Sequence, residues 1–593
     1  MAEAVRYRVS MSRPHSHLFE VEALYPPSDG PLTVAMPVWT PGSYLIREFA
    51  RHVQQMTASA ERGEALPITR LDKRSFQVES PRGKRVRLRY LVYANELSVR
   101  TSHLDGTHGY FNGASMFFSA EAFRDLEHRI AIEAPPGWRV FCALDREGGE
   151  LVAPSYDELI DSPVEVGPQA PHEFQVAGVP HQIVLWGEAQ LDRAKLLADL
   201  AKVCETEAQM FGGLPTKRYL FLVYLTDKGR GGLEHKASTS LLFPRFQLLT
   251  SKGWEDFLTL VAHEYFHLWN IKRIKPKVLV PFNYAEESYT GLLWAFEGIT
   301  SYYDNLLVRR AGLMSASRYL ARLGEAVTSL HATPGRRVQT LLEASQAAWI
   351  KHYRPDENSP NSAISYYLKG EIVAALLDLE IRRLTENERS LDDVMRLLWK
   401  RYGDERGVPE DGVEKAASEV AGTDLSAFFD RAIRSTDELD YSPFQYVGLE
   451  LKFRVKESPS DRGGSGPRVK PGELKAKGWL GAAFKSGSTV ACVLEASPAM
   501  NGGLYADDEV IALDGYRVDG ATLLARCEEK QPGDPVRITL LRQDRLLEVN
   551  VQLESKPADA AYLARVDRPS DAQKAAYFAW LGVSFDEAPS NHQ

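Results

Sequence analysis

No run of 18 consecutive apolar residues occurs in this 593-residue chain, so no segment has the length and hydropathy of a membrane-spanning helix. Basic charge is not in excess: 71 Lys and Arg stand against 80 Asp and Glu, a net charge of -9, without the basic footprint that nucleic acid requires. The start, Met1-Ala2-Glu3-Ala4-Val5-Arg6-Tyr7, lacks the basic and then apolar pattern of a secretory signal. Only four cysteines occur (Cys142, Cys204, Cys492, Cys527), widely scattered and without a CxxC pair. That excludes a zinc–thiolate cluster and suits a reducing compartment, so the expectation is a cytoplasmic protein with neither membrane nor nucleic-acid partner. Internal repeats and low-complexity arrays are also missing.

What is present is a chain too long for one core, of ordinary globular composition, with 44% hydrophobic and 25% charged residues. Its first 180 residues read as strands. Residues 5–9, 18–24 and 86–93 alternate apolar with polar side chains, between turn clusters rich in Pro, Gly and Asn. Past Leu191 the pattern changes. Asp192 to Met210 has helical spacing, and Arg218 to Leu225 is an apolar run that suits a buried or edge strand. Trp294 to Ile433 is mainly helical, with a capping signal at Ser390-Leu391-Asp392-Asp393. Residues 456–467 are polar and glycine-rich, in the manner of a flexible loop or linker. A small α/β segment and a tail with one amphipathic helix, Ser570 to Leu581, complete the chain. The expected organisation is a β domain over 1–180, an α/β catalytic subdomain over 181–310, a helical catalytic subdomain over 311–445, a strand and linker over 446–478, a compact module over 479–556 and a tail over 557–593.

The chemistry centres on His263-Glu264-Tyr265-Phe266-His267, an HExxH motif inside an apolar helical stretch. Histidines at i and i+4 lie one above the other on a helix, close enough to hold one metal ion, and the glutamate between them faces the open side as a general base. With 14 His in the chain, about 0.02 such matches arise by chance, so packed core histidines are the weaker reading. A catalytic zinc takes three protein ligands and one water. The third ligand is expected from Trp294-Ala295-Phe296-Glu297-Gly298-Ile299, where a single carboxylate stands among apolar and small residues. Burying it is costly unless it binds a metal, which favours Glu297 over Glu286 and Glu287 in their polar segment. This ligand set favours zinc over manganese or cobalt.

HEYFH followed by WAFEGITSYY resembles the gluzincin metallopeptidases, whose catalytic domain is thermolysin-like. Glu297 follows His267 by 30 positions, a longer gap than in the large aminopeptidase family of that clan, so residues from about Ile271 to Leu292 stand as an insertion. Across its start, Trp269-Asn270-Ile271-Lys272-Arg273-Ile274-Lys275-Pro276 resembles the glycyl aminopeptidase family, whose members carry a PDZ domain. Residues 39–49, WTPGSYLIREF, are similar to that family's β domain. The resemblance implies a multidomain α+β protein: an N-terminal β-sandwich-like domain, a thermolysin-like zinc peptidase domain with a helical second half, and a C-terminal PDZ domain. Gly231-Gly232-Leu233-Glu234-His235 resembles the exopeptidase motif G-x-M-E-N, with His235 in place of the asparagine. Gly231 and Gly232 would admit a peptide backbone closely, and Glu234 would pair with a free α-ammonium. Tyr367-Leu368-Lys369-Gly370 resembles the Y-x-K-G element that sets a tyrosine over the metal; Tyr367 is the choice and Tyr366 the runner-up. Trp479-Leu480-Gly481 with the following S-P-A, G-L, D-E-V-I and D-G blocks looks like a PDZ domain, its carboxylate-binding loop at Leu480 and Gly481.

The leading expectation is a zinc aminopeptidase acting on peptides with a free N-terminus and a small first residue, Gly or Ala. Its single catalytic Zn²⁺ would sit on His263, His267 and Glu297, with Glu264 as base and Tyr367 on the oxyanion. A C-terminal peptide could occupy the PDZ groove, or that groove could be filled by the protein's own chain. Two alternatives stand beside this: a PDZ-assisted zinc endopeptidase, and a PDZ scaffold whose peptidase domain is silent.

Overall fold

In the N-terminal region the alternating patterns become strands with one buried face. Along Val86–Tyr93, Val86, Leu88, Tyr90 and Val92 point inward and the residues between them outward. The computed structural model describes residues 3–468 and 476–587; residues 469–475 of the expected linker and 588–593 of the tail lie outside the described residues. The chain divides into two compact units. One comprises Met1–Tyr289, Tyr303–Leu313 and Arg396–Glu410; the other comprises Thr290–Tyr302, Met314–Met395 and Asp411–Gln593.

In the first unit an eight-stranded sheet is built around Ala4–Ser10, which pairs parallel to Glu127–Glu133 and antiparallel to Leu18–Tyr25. It shares one core with a four-stranded and a three-stranded sheet, filled by Phe19, Tyr25, Val34, Phe111, Phe117 and Phe118. This is the β-rich N-terminal domain.

The same unit holds a five-stranded sheet that carries chemistry. Tyr219–Thr226 is its central strand, flanked in parallel by Val179–Trp186 and Ser238–Pro244. Burial on both faces explains its unbroken apolar sequence, which leaves a buried or an edge strand open until its neighbours are known. Gly231–Glu234 pairs antiparallel with Ser238–Pro244 and forms one edge. Two helices accompany this sheet, Arg193–Phe211 and Ser251–Phe266. Asp192 caps the first through the Lys195 amide, and Thr250 caps the second through the Gly253 amide at 3.0 Å.

His181 fastens this sheet to the HExxH helix. Its Nε2 accepts from the Tyr265 hydroxyl at 2.8 Å, while its Nδ1 stands 2.9 Å from the Val179 carbonyl. Burial lowers its pKa to about 4, against a smaller upward push from the Val179 bond. The unfolded chain therefore takes up this proton near pH 6.5, before the folded one does, and the stabilisation is lost as pH falls from 6.5 towards 4. Wild type is expected to lose about 2–3 kcal/mol more than His181→Gln between pH 7 and pH 4.5, measured by urea unfolding. Equal losses in the two proteins would remove His181 from the acid response.

The second unit contains the helices Ala316–His331 and Tyr366–Leu384 and, later in sequence, the PDZ domain. Leu480, Val490, Val510, Leu513, Leu523, Ile538 and Leu540 are among the PDZ core residues. Strands Leu449–Arg454 and Ala560–Arg565 pair antiparallel on either side of it in sequence. Part of the polar 456–467 stretch is an ordered loop. The Asp461 carboxylate accepts from the Glu457 and Gly463 amides and pairs with Arg454, and the Gly464 amide donates to the Ala561 carbonyl. The tail helix Asp571–Leu581 is capped by Ser570 and buries Trp580, whose Nε1 donates to the Tyr302 hydroxyl at 3.0 Å. Among the described residues no helix is long and apolar enough to cross a membrane.

Candidate active site

The HExxH histidines occupy the last turn of Ser251–Phe266 and its C-cap, with ring centroids 4.7 Å apart. Each ring has one nitrogen committed to an acceptor. His263 Nδ1 donates to Asp304 Oδ2 at 3.2 Å, and His267 Nδ1 donates to the Asn270 carbonyl at 2.8 Å. A carbonyl and a carboxylate accept only, so the protons sit on Nδ1 and each Nε2 is the unprotonated, ligand-type nitrogen of its ring. On this observation the pair fits a zinc ion. The Thr300 hydroxyl donates to the Phe296 carbonyl at 2.6 Å.

Neither orienting group was legible in the sequence. Asp304 belongs to a helix whose register was not fixed. The Asn270 carbonyl turns toward His267 because the chain reverses sharply at Trp269-Asn270-Ile271-Lys272. Ile271 takes φ +102°, a costly conformation for a β-branched residue. Hydrogen bonds hold it there: Ile271 N–H to the Ile274 carbonyl, Lys272 N–H to the His267 carbonyl and Ile274 N–H to the Trp269 carbonyl. Trp269 is buried against Phe211, the rings stacked 4.6 Å apart.

Glu264 is buried and packs on the edge strand; a Cβ added at Gly232 would overlap its carboxylate. Gly231 and Gly232 thus leave backbone rather than side chain beside Glu264, and the Gly232 carbonyl accepts from Arg100 at 3.2 Å. Glu234, two residues on, is also buried, with no hydrogen-bond partner at Oε1. One ligand atom from each of Glu234, Glu264 and His267 lies within 4.8 Å of the other two. The loop of residues 39–44 closes over Glu234. A Cβ at Gly42, whose φ is +88°, would stand 2.5 Å from both carboxylate oxygens.

His235 does not share that opening. Its Nδ1 stands 3.2 Å from Asp161 Oδ1, which also receives Lys272 Nζ at 2.5 Å. Burial would raise the Asp161 pKa, but Lys272 and His235 outweigh it and hold the carboxyl well below its usual range. One buried anion therefore ties the end of the Glu234 strand to the turn that orients His267.

In the second unit Glu297 is 2% exposed and lies in the π-helical turn Trp294–Gly298. The next residue, Gly298, meets Gly370 at the crossing with Tyr366–Leu384. A Cβ at Gly370 would stand 2.8 Å from the Gly298 Cα and 3.0 Å from the Trp294 carbonyl, so the two backbones touch. This gives the E-G and K-G pairs a physical reason: only glycine on both helices brings Glu297 and Tyr367 together. Gly370→Ala is expected to cost about 1–3 kcal/mol, read as a lower urea midpoint, because backbone has to move to admit the methyl; an unchanged midpoint would contradict the close crossing. Burial and then the Glu297 charge raise the Tyr367 pKa well above the ordinary tyrosine value, so its phenol stays protonated. Its hydroxyl lies 3.2 Å from that of Tyr353, and its ring stacks on Tyr366 at 4.7 Å. His352 joins them, 5.4 Å from the Tyr367 ring, a neighbour the sequence did not signal.

Leu480 and Gly481 lie where the PDZ fold begins. Gly481 has φ +79° and a Cβ there would overlap Ser497, so the loop requires glycine. The Asn361 side chain clasps the end of the neighbouring Val490–Val493 strand. It donates to the Val493 carbonyl and accepts from the Glu495 amide, both at 2.8 Å.

An HExxH helix beside an edge strand that bears a bare, buried carboxylate defines a peptidase. Three family models match: the peptidase M61 N-terminal domain over 6–168, the M61 glycyl aminopeptidase over 256–373, and the PDZ domain over 466–553. A crystal structure of an aminopeptidase N family protein from Idiomarina loihiensis superposes with a TM-score of 0.91 at 33% identity, covering 97% of this chain and 100% of that one. The chain belongs to the M61 glycyl aminopeptidase family. An M1 zinc metallopeptidase from Deinococcus radiodurans gives a TM-score of 0.47 at 13% identity over 74% of this chain and 95% of that one, too remote to bear on the chemistry here. Probable periplasmic serine endoproteases (DegP-like) from Brucella suis and Brucella abortus are 29% identical over 106 residues, 18% of this chain; the chain spans about a fifth (21%) of their length.

Proposed function

We propose that the protein is a zinc-dependent aminopeptidase that hydrolyses the N-terminal peptide bond of peptides beginning with a small residue, Gly or Ala. The observation that carries this is Glu234: a buried carboxylate, bare at Oε1, close to Glu264 and His267 at the open edge of a sheet. An anion left that way lacks a cation, and the α-ammonium of a peptide supplies one. An endopeptidase has no use for it. The preference for a small first residue comes from the family and accords with the Gly42 loop closing over Glu234.

His263 and His267 would hold the zinc through Nε2, and Glu297 would complete the set. Glu297 is a buried carboxylate in an otherwise apolar turn, where a bound cation would offset the cost of its burial. When bound, zinc polarises the scissile carbonyl and acidifies water. Glu264 takes the proton from the attacking water and returns it to the leaving amine. The protonated Tyr367 phenol donates to the developing oxyanion. Glu234 fixes the ammonium, so that one residue is removed per encounter, and Gly231 and Gly232 let the substrate backbone lie along the edge strand. The Leu480-Gly481 loop would take the terminal carboxylate of a peptide added to the PDZ sheet.

The test is hydrolysis of Gly- and Ala-p-nitroanilide beside their N-acetylated forms by zinc-loaded protein. Cleavage confined to the free amines is expected. Equal cleavage of the blocked forms would replace this reading with the endopeptidase, and no cleavage of either would favour the silent scaffold.

A further inference from the structure

A second histidine pair lies apart from the HExxH helix, on the hairpin formed by Ser102–Leu104 and Gly109–Phe111. We propose that His103, Asp105 and His108 form a second metal site, for one divalent cation of the zinc class, which clips this hairpin.

One ligand atom from each of the three residues lies within 4.8 Å of the other two. His108 is fully buried, and its Nδ1 donates to Glu165 at 3.0 Å. Glu165 is itself buried and accepts from the Tyr224 hydroxyl at 3.2 Å and from Gln169 at 3.3 Å. That carboxylate fixes the tautomer, so His108 Nε2 carries a lone pair, and it is buried without a partner. A carboxylate behind one imidazole nitrogen with the other left bare is the arrangement that orients a metal-binding histidine.

His103 is 8% exposed, and neither of its ring nitrogens makes an aligned hydrogen bond. Its Nε2 stands 3.4 Å from Asp105 Oδ2. Two ligands on a tetrahedral zinc are about 3.3 Å apart, so this separation needs little adjustment. Asp105 is pinned by its other oxygen: Oδ1 accepts from the Thr107 amide, the Thr107 hydroxyl and the His108 amide, which leaves Oδ2 to a ligand role. The two imidazoles face each other at 5.0 Å, and Trp186 stacks on His108 at 4.2 Å. Without a cation, bare buried imidazole nitrogens are left at one point of the hairpin at an energetic cost; a cation satisfies them together. The Asp105 side chain is 31% exposed, which opens a path to solvent and leaves room for water as the fourth ligand.

The test counts zinc by mass spectrometry after loading and exhaustive dialysis. Wild type is expected to hold two ions per chain, and a His263→Ala/His267→Ala chain one. Adding His108→Ala to that chain should reduce the count to none. Cobalt added to the His263→Ala/His267→Ala chain should give visible d–d absorption. Asp105→Asn keeps the Oδ1 acceptor, and with it the turn. It should weaken binding at this site by at least about tenfold in a chelator competition and leave peptidase kcat/KM within about twofold. A folded His263→Ala/His267→Ala chain that holds no zinc overturns the proposal. If that chain does not fold, the wild-type count decides: two ions support the site and one overturns it.

Discussion

Glu264→Gln is expected to lower kcat by about 10²- to 10⁴-fold while the protein keeps its full complement of metal. The amide has the size of the carboxylate, so packing against Gly232 survives, and His263 and His267 keep their Nδ1 bonds to Asp304 and the Asn270 carbonyl. What is lost is the ability to accept a proton from water and return it to the amine. Metal content separates this outcome from a structural one: a variant that lost zinc along with activity would mean Glu264 supports the site rather than acting in it. Near-wild-type turnover would remove Glu264 from the chemistry altogether.

Glu234→Gln follows closely in size. Removing one partner of a buried, hydrogen-bonded charge pair costs about 2–5 kcal/mol, which puts the fall in kcat/KM for Gly-p-nitroanilide at about 10²- to 10³-fold. The carboxylate has no hydrogen bond at Oε1 to lose, so the fold should be indifferent and the Tm should hold. The diagnostic is selectivity. Wild type should prefer free-amine to N-acetylated substrate strongly, and the variant should lose most of that ratio. A variant as selective as wild type would place the ammonium elsewhere.

The two variants also separate two kinds of information in the chain. The HExxH pattern could be read without coordinates because helical periodicity is local: residues four apart share a face whatever else the protein does. The same holds for the alternation in Val86–Tyr93 and for the caps at Asp192 and Ser570. Family resemblance in separated blocks then carried the membership and the mixed α+β class with its PDZ domain, which the family models and the Idiomarina loihiensis structure bear out.

Other features depended on non-local contacts. The run Tyr219–Thr226 was ambiguous between centre and edge because burial on both faces requires neighbours at 179–186 and 238–244. Asp304 and the Asn270 carbonyl, which fix the histidine tautomers, were missed; one is set by helix register and the other by a strained turn at Ile271. The composition of residues 456–467 suggested a flexible loop or linker; that Arg454 and the backbone of Ala561 hold parts of it in place could not be read from it. His103 and His108 carried no signal, since a histidine pair on a hairpin has none of the regularity of i and i+4 on a helix. The sequence by itself determined the local patterns, the HExxH pair and, through resemblance, the family. Tertiary structure decided which side chains orient those histidines, where the buried carboxylates face and why Gly298 and Gly370 must be glycines, because each of these rests on contacts between segments far apart in the chain.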